Sequence, residues 1–410
     1  MANHEMIDYC LLCGGSVKQV LAMGNTPLAN NFTDKPTQQE LFPLNVMQCQ
    51  KCHHVQLDCS VNRKVLFSNY LYVAGTSPVN RKHYQDLAHK VIKKFLLTTG
   101  DLVCEIASND GCLLRNFQEY GINVIGIDPA INIAQKANAE GIPTIANFFG
   151  TKLAMKIERE YGKSKVVICN NAFAHNKQIV DLIEGVKIIL DRDGSFIFEN
   201  SYLLDIVEKT LPDIFYHEHI STFSITALLP FLSRRDLDIY EVERIPNHGG
   251  SIRVYTCFRG VKPIHQSVNE LLELEKGIND KLTLMAQNVN QLGEKLRATL
   301  QEYKAQGKSI ACYGFPAKAT SLCSVLQIDM KMIDYVIEDA ELKIGRFTPL
   351  GNKEIFGPEE IIKRKPDVLV VLAWNFGPSI IKNVKKRWKE AFDDERYPIF
   401  ITPLPELKVE

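Results

Sequence analysis

The chain has 410 residues, long enough for two or three domains that each bury a core. Its 48 basic residues balance 48 acidic ones, which argues against a surface built to coat nucleic acid or an anionic membrane. Hydrophobic content of 45% and no apolar run near the roughly 20 residues that cross a bilayer describe an ordinary soluble protein. The opening MANHEMIDYC has no basic stretch followed by an apolar core, so a cytoplasmic location is expected. Eleven cysteines in such a chain suggest metal ligation or buried thiols rather than a disulfide framework. Cys104, Cys169 and Cys312 lie in apolar runs and read as core residues.

Residues 1–80 are polar and rich in turn formers, and they carry two Cys-x2-Cys pairs, Cys10/Cys13 and Cys49/Cys52. Each pair makes a tight knuckle, and two knuckles complete a tetrahedron of thiolates suited to zinc. Four thiolates close the sphere, so this zinc is expected to hold the fold and not to catalyse. The stretch LFPLNVMQ (41–48) reads as a strand leading into the second knuckle, and His53 and His54 read as solvent-facing or lying behind the ligands.

A helix-spaced segment at 81–97 leads into alternating strands and helices, with strands at 101–107, 123–129, 143–149, 165–171 and 194–200. Short Val- and Ile-rich runs joined by helices predict a doubly wound parallel sheet, whose ligands bind at the carboxyl ends of the strands. A long polar-amphipathic stretch, 271–306, reads as a solvated connecting helix, or two. A third segment then repeats the pattern with strands at 308–314, 332–340 and 366–375. The expected organisation is a zinc-binding domain (1–80), a central Rossmann-like domain (81–270), the connector (271–306) and a smaller Rossmann-like domain (307–410).

The loop EIASNDG after the first central strand has one glycine, Gly111, where a dinucleotide needs several for close approach of its pyrophosphate. S-adenosylmethionine (SAM) carries no phosphate and tolerates such a loop. On that reading Glu105 orients the loop or the methionine ammonium, Asp128 takes the ribose, and Asn147 with Phe148 face the adenine. Taken singly, each strand-terminal acid could simply cap the next helix.

Motif by motif, the chain resembles the SAM-dependent C-methyltransferases of nucleotide-linked 4-keto-deoxysugars, such as the TDP-sugar C-3′-methyltransferases. The resemblance runs from Cys10 to Trp374 through the cysteine pairs, NYLYVAGTSPVNRKHY (69–84), EIASNDG, NNAFAH (170–175), FYHEHISTFS (215–224), NHGGSIRVY (247–255), YGFPAKAT (313–320) and LAWN (372–375). It implies a four-cysteine zinc domain, a class I SAM sheet and a C-terminal Rossmann-like domain. Ala107 departs from it where glycine is usual, as do Phe315, Pro316 and Ala319 where smaller residues are usual.

The reaction class needs a base for a C–H beside a ketone, a donor for the enolate oxygen, and alignment with the methyl group. The resemblance maps the base onto His219, its support or a sugar-hydroxyl ligand onto Glu218, and oxygen donors onto Tyr216 and His175. Tyr72 comes from the zinc-domain side. On residue types alone, the His-x-His spacing of His217 and His219 leaves metal and acid/base readings balanced; the resemblance favours acid/base work and a structural His217. It further implies cofactor contacts from Ala107, Asn109, Gly111 and Asn170, and substrate contacts from Asn171 and Asn200. His248, Ser251 and Arg253, together with Trp374 and Asn375, are expected to line the cleft between lobes. Gly314 and Lys318 open a helix that would hold the diphosphate. The expected partner is a nucleotide-diphosphate sugar met by a monomer; an RNA or protein methyltransferase and a non-catalytic nucleotide-binding module are the alternatives.

Overall fold

A computed structural model describes residues 3–68, 73–392 and 396–410. Strands β1 (Val17–Thr26), β2 (Phe42–Cys49) and β3 (Val55–Leu57) form an antiparallel sheet that carries the knuckles at its ends. Alternation along β2 buries Phe42, Leu44, Val46 and Gln48, as period-two patterning requires.

The central domain holds seven strands: β4 (Leu102–Ile106), β5 (Asn123–Asp128), β6 (Thr144–Ala146), β7 (Ser164–Asn170), β8 (Leu190–Ser201), β9 (Leu237–Ile245) and β10 (Ser251–Phe258). Their order is β9-β10-β8-β7-β4-β5-β6. The five strands expected from sequence are parallel, but the sheet is mixed because β10 runs antiparallel to both β8 and β9. The reason is local. Pro246 and the left-handed Gly249 and Gly250 turn β9 straight into β10, and a hairpin needs no crossover helix.

The C-terminal sheet contains β11 (Ile310–Tyr313), β12 (Tyr335–Ile337), β13 (Ile355–Phe356), β14 (Val368–Val371), β15 (Ile399–Thr402) and β16 (Lys408–Val409), ordered β13-β12-β11-β14-β15-β16. Its last strand is antiparallel and the rest are parallel.

The stretch expected to be a solvated connector is instead a core element. A helix Gln266–Leu274 ends at a corner, and a second helix, Ile278–Ala305, buries Ile278, Leu282, Met285, Val289, Leu292, Leu296 and Leu300 along one stripe. That stripe joins one apolar cluster with Leu21 and Val46 of the N-terminal sheet, Phe196 and Phe198 of the central sheet, and Leu322 and Val325 of the C-terminal domain. Buried Glu275 fixes the corner, accepting from the Tyr202 hydroxyl and from the amides of Ile225 and Thr226.

The N-terminal sheet also takes a fourth strand from far along the chain: Ser221–Thr222 pairs antiparallel with β3. No helix among the described residues is long and apolar enough to cross a membrane.

Candidate active site

The sulfur atoms of Cys10, Cys13, Cys49 and Cys52 lie within 4.8 Å of one another. Both knuckles close through backbone bonds, Gly14 N–H to Cys10 O at 2.8 Å and His53 N–H to Cys49 O at 3.2 Å. The amides of Lys51 and Cys52 also point at Cys49 Sγ, at 3.3 and 3.4 Å, the usual support for a thiolate ligand. Four convergent sulfurs with amide donors fit a structural zinc ion. His54 does not face solvent: it is fully buried, stacked on Phe223, with Nε2 3.1 Å from Ser221 Oγ.

At the carboxyl ends of β4 and β5 the loop 107–111 is shaped by backbone conformation. Ala107 and Asn109 are left-handed, with φ of 58° and 50°, and an alanine held there costs roughly 1 kcal/mol. Gly111 is required twice over, by its φ of 72° and because a Cβ would sit 2.7 Å from Ile142. Asp128 accepts from the amides of Asn109 (2.9 Å) and Ala130 (2.9 Å), so its carboxylate ties the loop to the next helix.

Several buried polar atoms here have no hydrogen-bond partner among the described residues: Glu105 Oε2, Ser108 Oγ and both amide atoms of Asn170. Burial, reinforced by Asp128, Asp110 and Glu199, holds Glu105 well above the usual carboxylate range, and burial raises Asp128 too. Ala74 and Gly75 dock on this loop through Asn109 and Asp110; Tyr72 lies outside the described residues. Asn147 is exposed beyond β6. The ring of Phe148 carries the guanidinium of Arg63 at 4.3 Å, a cation–π contact from the short helix Arg63–Phe67 that sequence reasoning missed.

Within FYHEHISTF, residues 216–219 form a turn, closed by His219 N–H to Tyr216 O at 2.8 Å, before the strand Ser221–Thr222 begins. The turn brings Tyr216 and His219 together and sends His217 the other way, against the Pro43 carbonyl and the Phe42 ring. His219 Nδ1 lies 2.8 Å from the Ile214 carbonyl, which can only accept, so Nδ1 carries the hydrogen. Nε2 then accepts from the Tyr216 hydroxyl at 2.8 Å. The tautomer is thus set by a main-chain carbonyl, while Glu218, expected as the support of the base or a sugar-hydroxyl ligand, receives Asn30 of the N-terminal domain at 3.3 Å.

His175 stacks on His219 with ring centroids 5.1 Å apart, and Phe67 stacks parallel to His175 at 5.7 Å. Desolvation pushes His175 down to about 4, so it is neutral near pH 7. Asn171, His175, Asn200, Ser201, His219 and Thr222 line one small cavity at the ends of β7 and β8. Asn200 Oδ1 accepts from the Ala174 amide, and its Nδ2 has no partner among the described residues.

Arg253 is not in a cleft between lobes. It lies buried on β10 and binds Glu199 (2.6 Å) and Glu243 (3.0 Å), with His83 completing Glu199 at 2.7 Å. Ser251 is likewise committed, donating to the Asn247 carbonyl; the side chain of His248 lies outside the described residues.

In the C-terminal domain Gly314 is left-handed (φ 78°), and a Cβ there would meet Ala373 at 2.5 Å. The Phe315 amide already donates to Glu338, and the Phe315 ring is buried edge-on to Phe32, which explains a bulky residue there. Lys318 stands in the first turn of the helix Ala317–Val325, and Asn375 is exposed. Trp374 donates from Nε1 to Asp213 Oδ2 at 2.8 Å. Asp213, a buried residue three positions before Tyr216, was not signalled by any sequence pattern.

A mixed seven-stranded sheet in this order, its parallel strands ending on partnerless polar atoms, defines a Rossmann-like domain of the methyltransferase type beside a four-cysteine centre. Residues 10–67 match the family described as a putative zinc binding domain, and residues 246–405 match the C-methyltransferase C-terminal domain. The C-methyltransferase NovU of Streptomyces niveus is 32% identical over 98% of this chain and 97% of its own. The chain belongs to this C-methyltransferase family. Among solved structures, the PH0226 protein of Pyrococcus horikoshii shares 17% identity over 46% of this chain and 95% of its own, with a TM-score of 0.37. An S-adenosylmethionine-dependent methyltransferase of Clostridium acetobutylicum shares 14% over 44% and 92%, with a TM-score of 0.36.

Proposed function

We propose that this chain moves a methyl group from SAM to a ring carbon, C-3 in our reading, of a nucleotide-linked 4-keto-deoxysugar, acting as a cytoplasmic monomer. When bound, SAM supplies an electrophilic methyl group. Support for its place comes from Glu105, Ser108 and Asn170: a crowded set of buried acids and partnerless polar atoms suits a ligand bearing a cationic sulfonium and ammonium. Ala107, Asn109 and Gly111 shape the loop beside it, Asp128 remains the candidate ribose ligand, and Asn147 with the Arg63-capped Phe148 the adenine contacts.

The observation that carries the reading is the chain Tyr216 hydroxyl, His219 Nε2, His219 Nδ1–H, Ile214 carbonyl. It leaves Nε2 as the basic nitrogen and gives it a proton donor that a ketone oxygen can take over. As Tyr216 turns its O–H to the ketone, Nε2 is released to remove the proton from the adjacent carbon. The C–H electron pair would move into the enolate while the proton stays on Nε2; with SAM bound, its methyl group would pass to the enolate carbon as the S–CH3 bond breaks and S-adenosylhomocysteine leaves. Because His175 is neutral, it does not oppose the imidazolium that forms against it and can donate N–H to the oxygen. Glu218, Asn171 and Asn200 are read as ligands of sugar hydroxyls. Lys318, Gly314 and Asn375 are read as the diphosphate side of the cleft, in the domain spanning 307–410.

His219→Gln tests the assignment, with TDP-4-keto-6-deoxyglucose as the probe. Deuterium exchange beside the ketone, in the presence of S-adenosylhomocysteine, is expected to fall by roughly 100-fold or more, with the thermal shift produced by SAM retained. Exchange near the wild-type rate in that variant would remove His219 as the base.

A further inference from the structure

We infer that the C-terminal domain sets the tautomer and position of His219 through Asp213 and Ile214, making Asp213, Ser321 and Trp374 positioning residues for the methyl transfer. The inference rests on the reading of His219 as base. Asp213 and Ile214 close a single 3-10 turn, Pro212–Ile214, and their carbonyls point to different partners. The Asp213 carbonyl lies 2.9 Å from Ser321 Oγ, on the helix Ala317–Val325, and the one hydroxyl hydrogen of Ser321 is shared with the Lys318 carbonyl, also at 2.9 Å. The next carbonyl, Ile214, accepts from His219 Nδ1 at 2.8 Å. The Asp213 side chain is gripped as well, by Trp374 Nε1 at 2.8 Å, from the segment that follows β14.

Two separate pieces of the C-terminal domain therefore hold the residue whose neighbour orients the imidazole. Asp213 is 1% exposed, so these contacts form in a dry site where misaligned partners cost more than in water. Its other oxygen, Oδ1, has no partner among the described residues, and the nearby charge of Lys318 is the favourable field from that helix. Nothing in this arrangement touches a reacting atom. Its effect is to keep the Ile214 carbonyl where it holds hydrogen on Nδ1 and the lone pair on Nε2. A tilt of this turn by 1 Å would misplace the base, an error worth about 100-fold in rate.

The experiment uses full-length zinc-loaded protein labelled with 15N at histidine, with His219 signals identified by their loss in His219→Gln. Long-range 1H–15N spectra are expected to show the Nδ1–H tautomer in wild type. In Trp374→Phe/Ser321→Ala they should move towards an averaged or Nε2–H pattern. Ser321→Thr, which keeps the donor, should leave the wild-type pattern. With TDP-4-keto-6-deoxyglucose, the double variant should lose at least about tenfold in kcat for deuterium exchange, with KM changed less than threefold. An unchanged tautomer in a folded double variant overturns the inference, and so does a loss confined to KM. If the double variant does not fold, Ser321→Ala alone carries the same two readouts. Exchange that survives His219→Gln instead overturns the assignment of the base, whatever the spectra show.

Discussion

His217 stands between the two residues that bear the proposed chemistry, yet its ring is 2% exposed and bonded to Pro43. Burial, the largest influence, holds it at about 4, against about 6.5 in an unfolded chain. Below pH 6.5 the unfolded state therefore binds a proton that the folded state refuses. Stability falls as pH drops from 6.5 to about 4 and is flat, for this group, below that. Urea unfolding at pH 7 and pH 4.5 should show wild type losing roughly 2–3 kcal/mol more than His217→Gln, which cannot titrate. Equal losses in the two proteins would contradict the assignment. At this scale the clustered histidines drew attention to the segment 215–223, but it was the family resemblance that assigned roles to Tyr216, Glu218 and His219. The sequence could not name Asp213 or Arg63, whose partners Trp374 and Phe148 are remote in the chain. It expected Arg253 in the cleft between lobes, since an arginine near a glycine pair looks the same there as when it is paired with the buried Glu199.

Among the elements, β8, β10 and the helix Pro78–Phe95 meet through the buried ions just described. Glu199 is 1% exposed and is held below the usual carboxylate range, against its burial, by His83 and Arg253. Replacing Arg253 with leucine leaves that carboxylate without its guanidinium, and a loss of about 3–5 kcal/mol is expected from chemical denaturation. A change below about 1 kcal/mol would show that Glu199 neutralises at little cost. The five parallel strands were legible because apolar runs separated by helical spacing have few other solutions. The β9–β10 hairpin was less so, because Arg253 interrupts the apolar pattern and its partners Glu199 and Glu243 let it be buried, which hydropathy does not register. For the helix Ile278–Ala305, many charges masked a narrow apolar stripe that is covered on both sides by domains distant in sequence.

Over the whole molecule, the four-cysteine centre and the proposed catalytic turn share one sheet. Ser221–Thr222, two residues past His219, pairs with β3, and β3 follows the second knuckle directly. Stripping zinc with a thiol reagent and chelator should therefore lower deuterium exchange in step with metal release, and zinc should restore it. Metal-free protein that keeps full exchange would separate the two sites. The sequence by itself determined the four-cysteine ligand set and the strand-end loop, because these depend on spacing within short segments. Tertiary structure alone decided which carbonyl fixes the His219 tautomer, which ring Arg63 covers and which arginine is spent on a buried ion pair. The contacts of Arg63 with Phe148 and of Arg253 with Glu199 join separate segments, and His219 reaches the Ile214 carbonyl only because the turn between them folds back, so no local pattern encodes them.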